Sequence, residues 1–183
     1  MSFKKNIEYQ YCKSPIGELI IGSYKEKLCL LDYKYRRQKK IVDSRLSKGL
    51  DAVFIEKNNE IIEKTIIELE AYIKGESKEF SIPILTVGSS FQKSVWKALQ
   101  NIPYGQTLSY MELTKKLNMK ATSVRAVANA NGANAISVII PCHRIIGSDG
   151  SLIGYAGGLQ TKKLLLRIEK SKTINPNELP LWT

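Results

Sequence analysis

Residues 109 to 132 read SYMELTKKLNMKATSVRAVANANG, and the organisation of the chain can be built outward from this stretch. Ser109 followed by Glu112 is a capping box: the hydroxyl and the carboxylate satisfy the free amides of a first helical turn, so a helix is expected to run to Leu117. Asn118-Met119-Lys120 makes a tight turn. Thr122 is placed to cap a second helix, Ser123 to Asn131, with Val124, Val127 and Asn131 on one face and Gly132 as its stop. Two short helices joined by a turn of about three residues form a helix-turn-helix. Such pairs also occur in ordinary helical bundles, so the meaning of this one depends on its surroundings.

Upstream, Ser90 can cap a helix in which Phe91, Val95, Ala98 and Leu99 share a face and which Pro103-Tyr104-Gly105 ends. Downstream, Ile136 to Ile140 reads as a buried strand from its β-branched content and runs into Pro141-Cys142-His143-Arg144. Ile145 to Tyr155 reads as strand, turn and strand around Asp149-Gly150, and Gly157-Gly158 precedes a last helix, Thr161 to Lys170. The first part of the chain differs. Residues 7 to 33 read as a small antiparallel meander, and Asn58 to Lys74 as an amphipathic helix through Ile62, Ile66, Leu69 and Ile73, stopped by Gly75. Pro83 to Ser90 is a connector. The expected organisation is an N-terminal module over residues 1–85, a helix-turn-helix module over 86–172 and a tail over 173–183.

With 183 residues and 43% apolar content the chain can bury a core without staples. Three cysteines, at 12, 29 and 142, form no ladder of spacings, which argues against a secreted disulfide framework and for a reducing cytoplasm. Those cysteines and the single histidine are too few and too scattered for structural zinc, so no metal is expected. The N-terminus has no apolar run of signal-peptide length, and nothing approaches a membrane span. Charge is unevenly placed. Residues 91–172 carry 12 Lys+Arg against 3 Asp+Glu, a net of +9 out of +11 for the chain. A basic module attached to a near-neutral one points to a polyanion such as the phosphate backbone of nucleic acid.

Cys142 carries the chemistry. A cysteine in an apolar run is ordinarily a packed core side chain, but this one lies beside the only histidine and an arginine. Thiolate is the nucleophilic form, and His143 and Arg144 are expected to make an electropositive pocket that lowers the thiol pKa. Neighbouring side chains on an extended backbone point to opposite faces, so proton transfer from Cys142 to His143 is expected to pass through water. The imidazole also needs a carboxylate to orient it. Of the three in this module, Glu112 is occupied by its cap and Asp149 by its turn, which leaves Glu169.

Pro141-Cys142-His143-Arg144, preceded by Asn134 and followed by Gly154-Tyr155-Ala156-Gly157-Gly158, resembles the active-site signature of the O6-alkylguanine-DNA alkyltransferases. The likeness spans residues 91–170 in order: Phe-x-x-x-Val-Trp, Pro-x-Gly, Ser-Tyr, Arg-Ala-Val, the cysteine motif, Tyr-x-Gly-Gly and a late Leu-Leu-x-x-Glu. The N-terminal module matches in outline, through Ser14-Pro15-Ile16-Gly17. The resemblance implies an α/β (α+β) protein with a ribonuclease H-like sheet-plus-helix module before a winged helix-turn-helix-like module. It also implies a DNA repair activity in which Cys142 takes the alkyl group of O6-alkylguanine in one irreversible turnover. His143 would be the base, Glu169 its orienting carboxylate and Tyr110 the donor to the leaving guanine. Arg125 would enter the stack vacated by the flipped base, and Ser123 and Ala126 would belong to the same DNA surface, in the minor groove of the duplex. Asn134, Ile145, Tyr155 and Ala156 would line the pocket, the carbonyls of Cys142 and Ile145 receiving the base's exocyclic amine. No cofactor is implied, and a monomer is expected.

Three departures from the family pattern stand out. Ala135 replaces the usual Pro, so a less rigid loop is expected; Ala156 replaces the Ser of some members; and the N-terminal module has no histidine with which Cys12 and Cys29 could bind zinc. Two rivals remain on sequence grounds. A protein that only binds lesions or regulates would have no need of the thiol, and a cysteine hydrolase would leave the basic helix pair unexplained. Preference among alkyl groups, and activity on alkylated thymine, are not readable from these residues.

Overall fold

The computed structural model describes residues 5–171, so the expected tail lies outside the described residues. The chain opens with three antiparallel strands, β1 (Lys5–Ser14), β2 (Gly17–Tyr24) and β3 (Lys27–Tyr33). Helix α1 (Lys39–Leu50) follows, then β4 (Ala52–Glu56), which returns parallel to β1 and gives the order β3-β2-β1-β4. The meander is as expected. Helix α1 and strand β4 are not, since the sequence reading placed no element between the meander and Asn58. Helix α2 (Glu60–Ile73) agrees with the periodic reading, capped by the Asn59 side chain, which accepts from the Ile62 amide at 3.1 Å.

The sheet is apolar on both faces. On one, Ile7, Ile20, Cys29 and Leu30 pack against Val42 and Leu46 of α1. On the other, Leu19, Ile21, Leu28 and Leu31 join Ile62, Leu69 and Tyr72 of α2 in a core that continues into the second half of the chain. Burying each such Leu or Ile contributes roughly 1.5–3 kcal/mol, so the two halves are held together by the hydrophobic effect.

That second half contains α3 (Ser90–Gln100), β5 (Leu108–Ser109), α4 (Tyr110–Lys116), α5 (Val124–Gly132), β6 (Ile145–Ile146) and α6 (Gly158–Ile168). The capping box of α4 is present: Ser109 accepts from the Glu112 amide at 3.1 Å and the Glu112 carboxylate accepts from Ser109 N–H at 2.7 Å. At α3 the cap is Ser89, paired with Gln92, rather than Ser90. At α5 no side chain caps the start: Ala121–Ser123 is a single 3-10 turn leading into the helix, so Thr122 is not its cap. Trp96 of α3 locks the helix pair from behind, its indole N–H donating to Ala130 O at 2.8 Å.

The largest correction concerns Ile136 to Ile140. Only Ile136 makes a β-bridge, to Leu31; the rest folds back in turns. Ser137 O accepts from Ile139 N at 2.9 Å around Val138, whose φ is +71°, and Ile140 O accepts from Cys142 N at 2.7 Å around Pro141 at φ −80°, ψ 62°. These are γ-turns of the two opposite hands, the first being the strained one for a β-branched residue. β-branched content marks burial here, not extension. The expected strand-turn-strand also survives only in part. Gly147 N donates to Ser151 O at 2.8 Å across the Asp149-Gly150 turn, but β6 pairs in parallel with β5 and residues 151–155 form no strand.

Replacing Trp96 by Ala removes the largest fully buried side chain and the partner of Ala130 O. Urea unfolding should show a loss of about 3–5 kcal/mol, against about 1–3 kcal/mol for Trp96→Phe, which keeps most of the packing.

Candidate functional site

A cavity of about 250 Å³ opens beside α5, and Cys142 lies in its wall with Tyr110, Ala128, Asn131, Asn134, Tyr155 and Ala156. Five of the residues singled out from sequence, Cys142, Tyr110, Asn134, Tyr155 and Ala156, therefore converge on one hollow. Arg36, Arg37 and Gln38 of the N-terminal module also reach it, which nothing in their local sequence announces.

Cys142 begins a single 3-10 turn, Cys142–Arg144, that directs its side chain and that of His143 apart. The thiol is 5% exposed and accepts from Asn134 Nδ2 at 3.2 Å. The same amide donates to Ile140 O at 2.9 Å while Asn134 Oδ1 accepts from Ile136 N at 2.9 Å, so its orientation is set on both sides. The expected electropositive lowering of the thiol pKa is not found. Burial pushes it up, opposed by Asn134, Arg36 and Lys162, while Asp32 adds to the rise. Arg144 is not beside the thiol but is turned toward Glu169.

The carboxylate chosen by elimination is indeed the partner of the imidazole. His143 Nε2–H donates to Glu169 Oε1 at 2.6 Å, and neither side chain reaches solvent. Arg144 donates to the same carboxylate through Nε at 3.0 Å and Nη2 at 2.9 Å, and the Gly105 amide donates to Oε2 at 2.9 Å. Gly105 has φ +75°, and a Cβ there would lie 2.8 Å from Glu169 O, so this approach requires glycine. Tyr72, from α2, completes the set by donating its hydroxyl to Glu169 Oε1. Burial alone would raise the Glu169 pKa, but the hydrogen bonds from His143 and Arg144, with the guanidinium charge, bring it down to about 2. Burial lowers the His143 pKa despite Glu169, which keeps the imidazole neutral. Its Nδ1 is then the acceptor nitrogen, buried and without a protein partner among the described residues.

Tyr110 begins α4, and burial followed by the nearby Cys142 raises its pKa, with Asn131 opposing, so the phenol stays a donor. Tyr155 is held by Tyr33, the two hydroxyls 3.0 Å apart. Ile145 behaves differently from expectation. It is wholly buried behind the cavity, and its carbonyl accepts from Lys162 Nζ at 2.5 Å. Lys162 also donates to Ile153 O at 2.6 Å, tying both flanks of the 147–151 turn to α6. Burial brings its pKa down to about 8. On α5, Arg125 and Ala126 are exposed and Ser123 is half-buried just ahead of the helix, outside the cavity. The loop after Asn134, where Ala135 stands for the usual proline, is tied to β3: Leu31 N donates to Ala135 O at 2.8 Å and Leu31 O accepts from Ser137 N at 2.7 Å. Among the described residues no cluster of three potential metal ligands occurs, and no helix is long and apolar enough to cross a membrane.

Arg36, Tyr72 and Lys162 are the functional neighbours that sequence reasoning missed. Each acts across more than a dozen residues or from the other module, and a Lys inside an amphipathic helix reads as a solvated charge. Only the apolar neighbours of Lys162 in α6 hint otherwise.

The fold and site together define a buried thiol seated beside a helix-turn-helix, behind which a neutral histidine and a buried carboxylate are arranged. Comparison with known proteins narrows this class. Residues 7–86 match the ribonuclease-like domain of 6-O-methylguanine DNA methyltransferase and residues 90–171 its DNA binding domain. The methylated-DNA–protein-cysteine methyltransferase of Methanosarcina acetivorans is 40% identical over 165 residues, covering 89% of this chain and 98% of that one. The crystal structure of Mycobacterium tuberculosis OGT in complex with DNA superposes with a TM-score of 0.76 at 35% identity, covering 91% of this chain and 97% of that one. The O6-methylguanine-DNA methyltransferase of Pyrococcus kodakaraensis gives 0.62 at 25% identity, over 89% and 98%. The chain belongs to the 6-O-methylguanine DNA methyltransferase family.

The sign of the Glu169 shift gives a pH prediction. Its folded pKa of about 2 lies below the ordinary 4.5, so the ionised carboxylate stabilises the fold fully above pH 4.5 and progressively less as pH falls toward 2. Urea unfolding across this range should show the stability gap between wild type and Glu169→Gln widest near neutrality and closing on the acid side.

Proposed function

We propose that this protein repairs O6-alkylguanine in double-stranded DNA by moving the alkyl group to its own Cys142, once per molecule. The observation that carries the reading is the cavity in which Cys142, Asn134, Tyr110 and Tyr155 meet beside α5. Cys142 is buried in the cavity wall, and chemistry on a base inside a duplex requires the damaged nucleotide to leave the stack, which costs a few kcal/mol. Arg125 is exposed on α5, and in this reading it fills the vacated stack from the minor groove. Ala126 and Ser123 beside it are small enough to let the backbone approach.

In the reaction the Cys142 sulfur forms a bond to the alkyl carbon as the bond from that carbon to guanine O6 breaks. The thiol proton passes through one water to His143 Nδ1, and Glu169 stabilises the imidazolium through Nε2–H. Negative charge developing on the guanine is met by the Tyr110 hydroxyl. Tyr155 walls the pocket, the Ala156 amide faces O6, and the carbonyls of Cys142 and Ile145 receive the exocyclic amine. For Ile145 this means sharing an oxygen already used by Lys162, which a carbonyl's two lone pairs permit. The thioether on Cys142 has no route back to thiol, and the turnover is irreversible. The reading extends to a monomer without cofactor in a reducing cytoplasm, where the free thiols of Cys12, Cys29 and Cys142 persist.

Incubation with duplex carrying O6-methylguanine, followed by peptide mass measurement, should place one methyl increment on Cys142 and none in Cys142→Ser. Binding without an increment would identify a lesion binder instead, and repeated turnover a hydrolase. Two variants refine the roles. Tyr110→Phe should slow transfer by about a hundredfold, as loss of one donor to developing charge does. Arg125→Ala should slow repair of duplex far more than reaction with free alkylguanine; equal losses would remove Arg125 from base flipping.

A further inference from the structure

Helix α5 ends on three successive carbonyls, those of Gly132, Ala133 and Asn134, and has no basic side chain of its own in its last turn. All three are supplied with cations by the other module. Arg36 donates through Nη2 to Gly132 O and through Nη1 to Asn134 O at 2.6 Å, and Arg45 of α1 donates to Ala133 O at 2.6 Å. Arg36 is 7% exposed and locked by Asp32, whose Oδ2 accepts from it at 2.5 Å and whose Oδ1 accepts from Tyr33 N at 2.9 Å and from the Ser137 hydroxyl at 3.4 Å. A guanidinium so enclosed has spent its fork on protein oxygens and is not a surface phosphate contact. What it holds is one residue away from the chemistry: the Asn134 whose carbonyl it grips is the residue whose amide touches the Cys142 sulfur at 3.2 Å.

We infer that Arg36, braced by Asp32, is a positioning residue for the reaction at Cys142, fixing Asn134 so that its amide stays hydrogen-bonded to the sulfur. This rests on Cys142 being the alkyl acceptor. The role is specific to the N-terminal module, which supplies both members of the brace. The Asn134 bond and the Arg36 charge both oppose the effect of burial on the thiol, so losing the clamp raises the thiol pKa twice over. The other charged or titratable groups facing Cys142 are Asp32 and Tyr33 of the first module, Tyr110 of α4, Tyr155 and Lys162 of α6. All are present in wild type and variant, and Lys162 titrates near 8. Asp32 alone is changed by the substitution, because Arg36 opposes the rise that burial imposes on its carboxyl, and Arg36→Lys keeps that charge beside it.

The test is the rate of Cys142 alkylation by free O6-benzylguanine across pH 6–10, read by mass in the full chain, for wild type, Arg36→Gln and Arg36→Lys. Free base keeps DNA binding out of the measurement. Arg36→Gln should be about tenfold slower at pH 7, with its profile moved up by about one pH unit. Arg36→Lys, which keeps the charge but cannot fork to two carbonyls, should lie between the two and carries the test if Arg36→Gln does not fold. A lower melting temperature with wild-type rate and profile in the folded variants would make Arg36 merely structural and overturn the inference, and so would a slower rate with an unmoved profile. An unmodified Cys142 in the wild-type control would instead overturn the assignment of the acceptor, and the inference with it.

Discussion

Glu169 closes α6 at its carboxyl end, where the backbone already concentrates negative partial charge, and a buried carboxylate there is untenable without compensation. The compensation comes from four groups at three places in the sequence: His143 with Arg144, the Gly105 amide, and Tyr72. Satisfying one anion thus fixes the turn after Cys142, the loop between α3 and α4, the last turn of α6 and helix α2 relative to one another. Removing any one donor leaves the others to hold a buried charge, and for that reason the arrangement is all or nothing. Arg144, which neutralises the carboxylate, also donates to Ile102 O at 2.5 Å, so the cation too is fully engaged.

The same logic explains why the N-terminal module is more than a platform. A thiol buried as Cys142 is becomes a poorer acid, and the groups that oppose this have to come from somewhere. Within its own module Cys142 has Asn134 and Lys162. The other opposing group, Arg36, comes from across the interface, as do Tyr72 on Glu169 and Tyr33 on Tyr155. The shared core of Leu31, Tyr72, Trp96, Val127 and Leu165 keeps these contacts in register at the accuracy of side-chain packing.

The sequence was most informative where short-range chemistry decides. The Ser109–Glu112 box, the Asn59-capped helix and the first hairpin depend on neighbours a few residues apart, and each was legible. Helix α1 was not, because its sequence KKIVDSRLSKGL has no side-chain cap and buries only Val42 and Leu46. Strand β4 pairs in parallel with β1, so its partner lies 47 residues away and no local turn announces it. Ile136–Ile140 was misread for the opposite reason. Its composition reported burial correctly, but Asn134 and Leu31, both outside the segment, bend it into γ-turns. The candidate site followed the same division. The cysteine, histidine and carboxylate could be named from residue scarcity, whereas Arg36 and Tyr72 reach the site through tertiary contacts that no spacing encodes.

Charge counting has to be revised in the same light. The basic excess on residues 91–172 includes Arg144 and Lys162, which are buried and directed at a carboxylate and at carbonyls. They hold the site and contribute little to the surface field, since a charge enclosed by its partners is compensated there. Among the described residues the remaining cations are Lys93, Lys97, Lys115, Lys116, Lys120, Arg125 and Lys170, which are exposed, and Lys163 and Arg167 on α6, which are half-buried. Six of the seven exposed ones are carried by α3, α4, the turn and α5, so most of the positive field belongs to the helix pair and its neighbour. A polyanion drawn to such a surface by counterion release meets α5, the helix that borders the cavity holding Cys142.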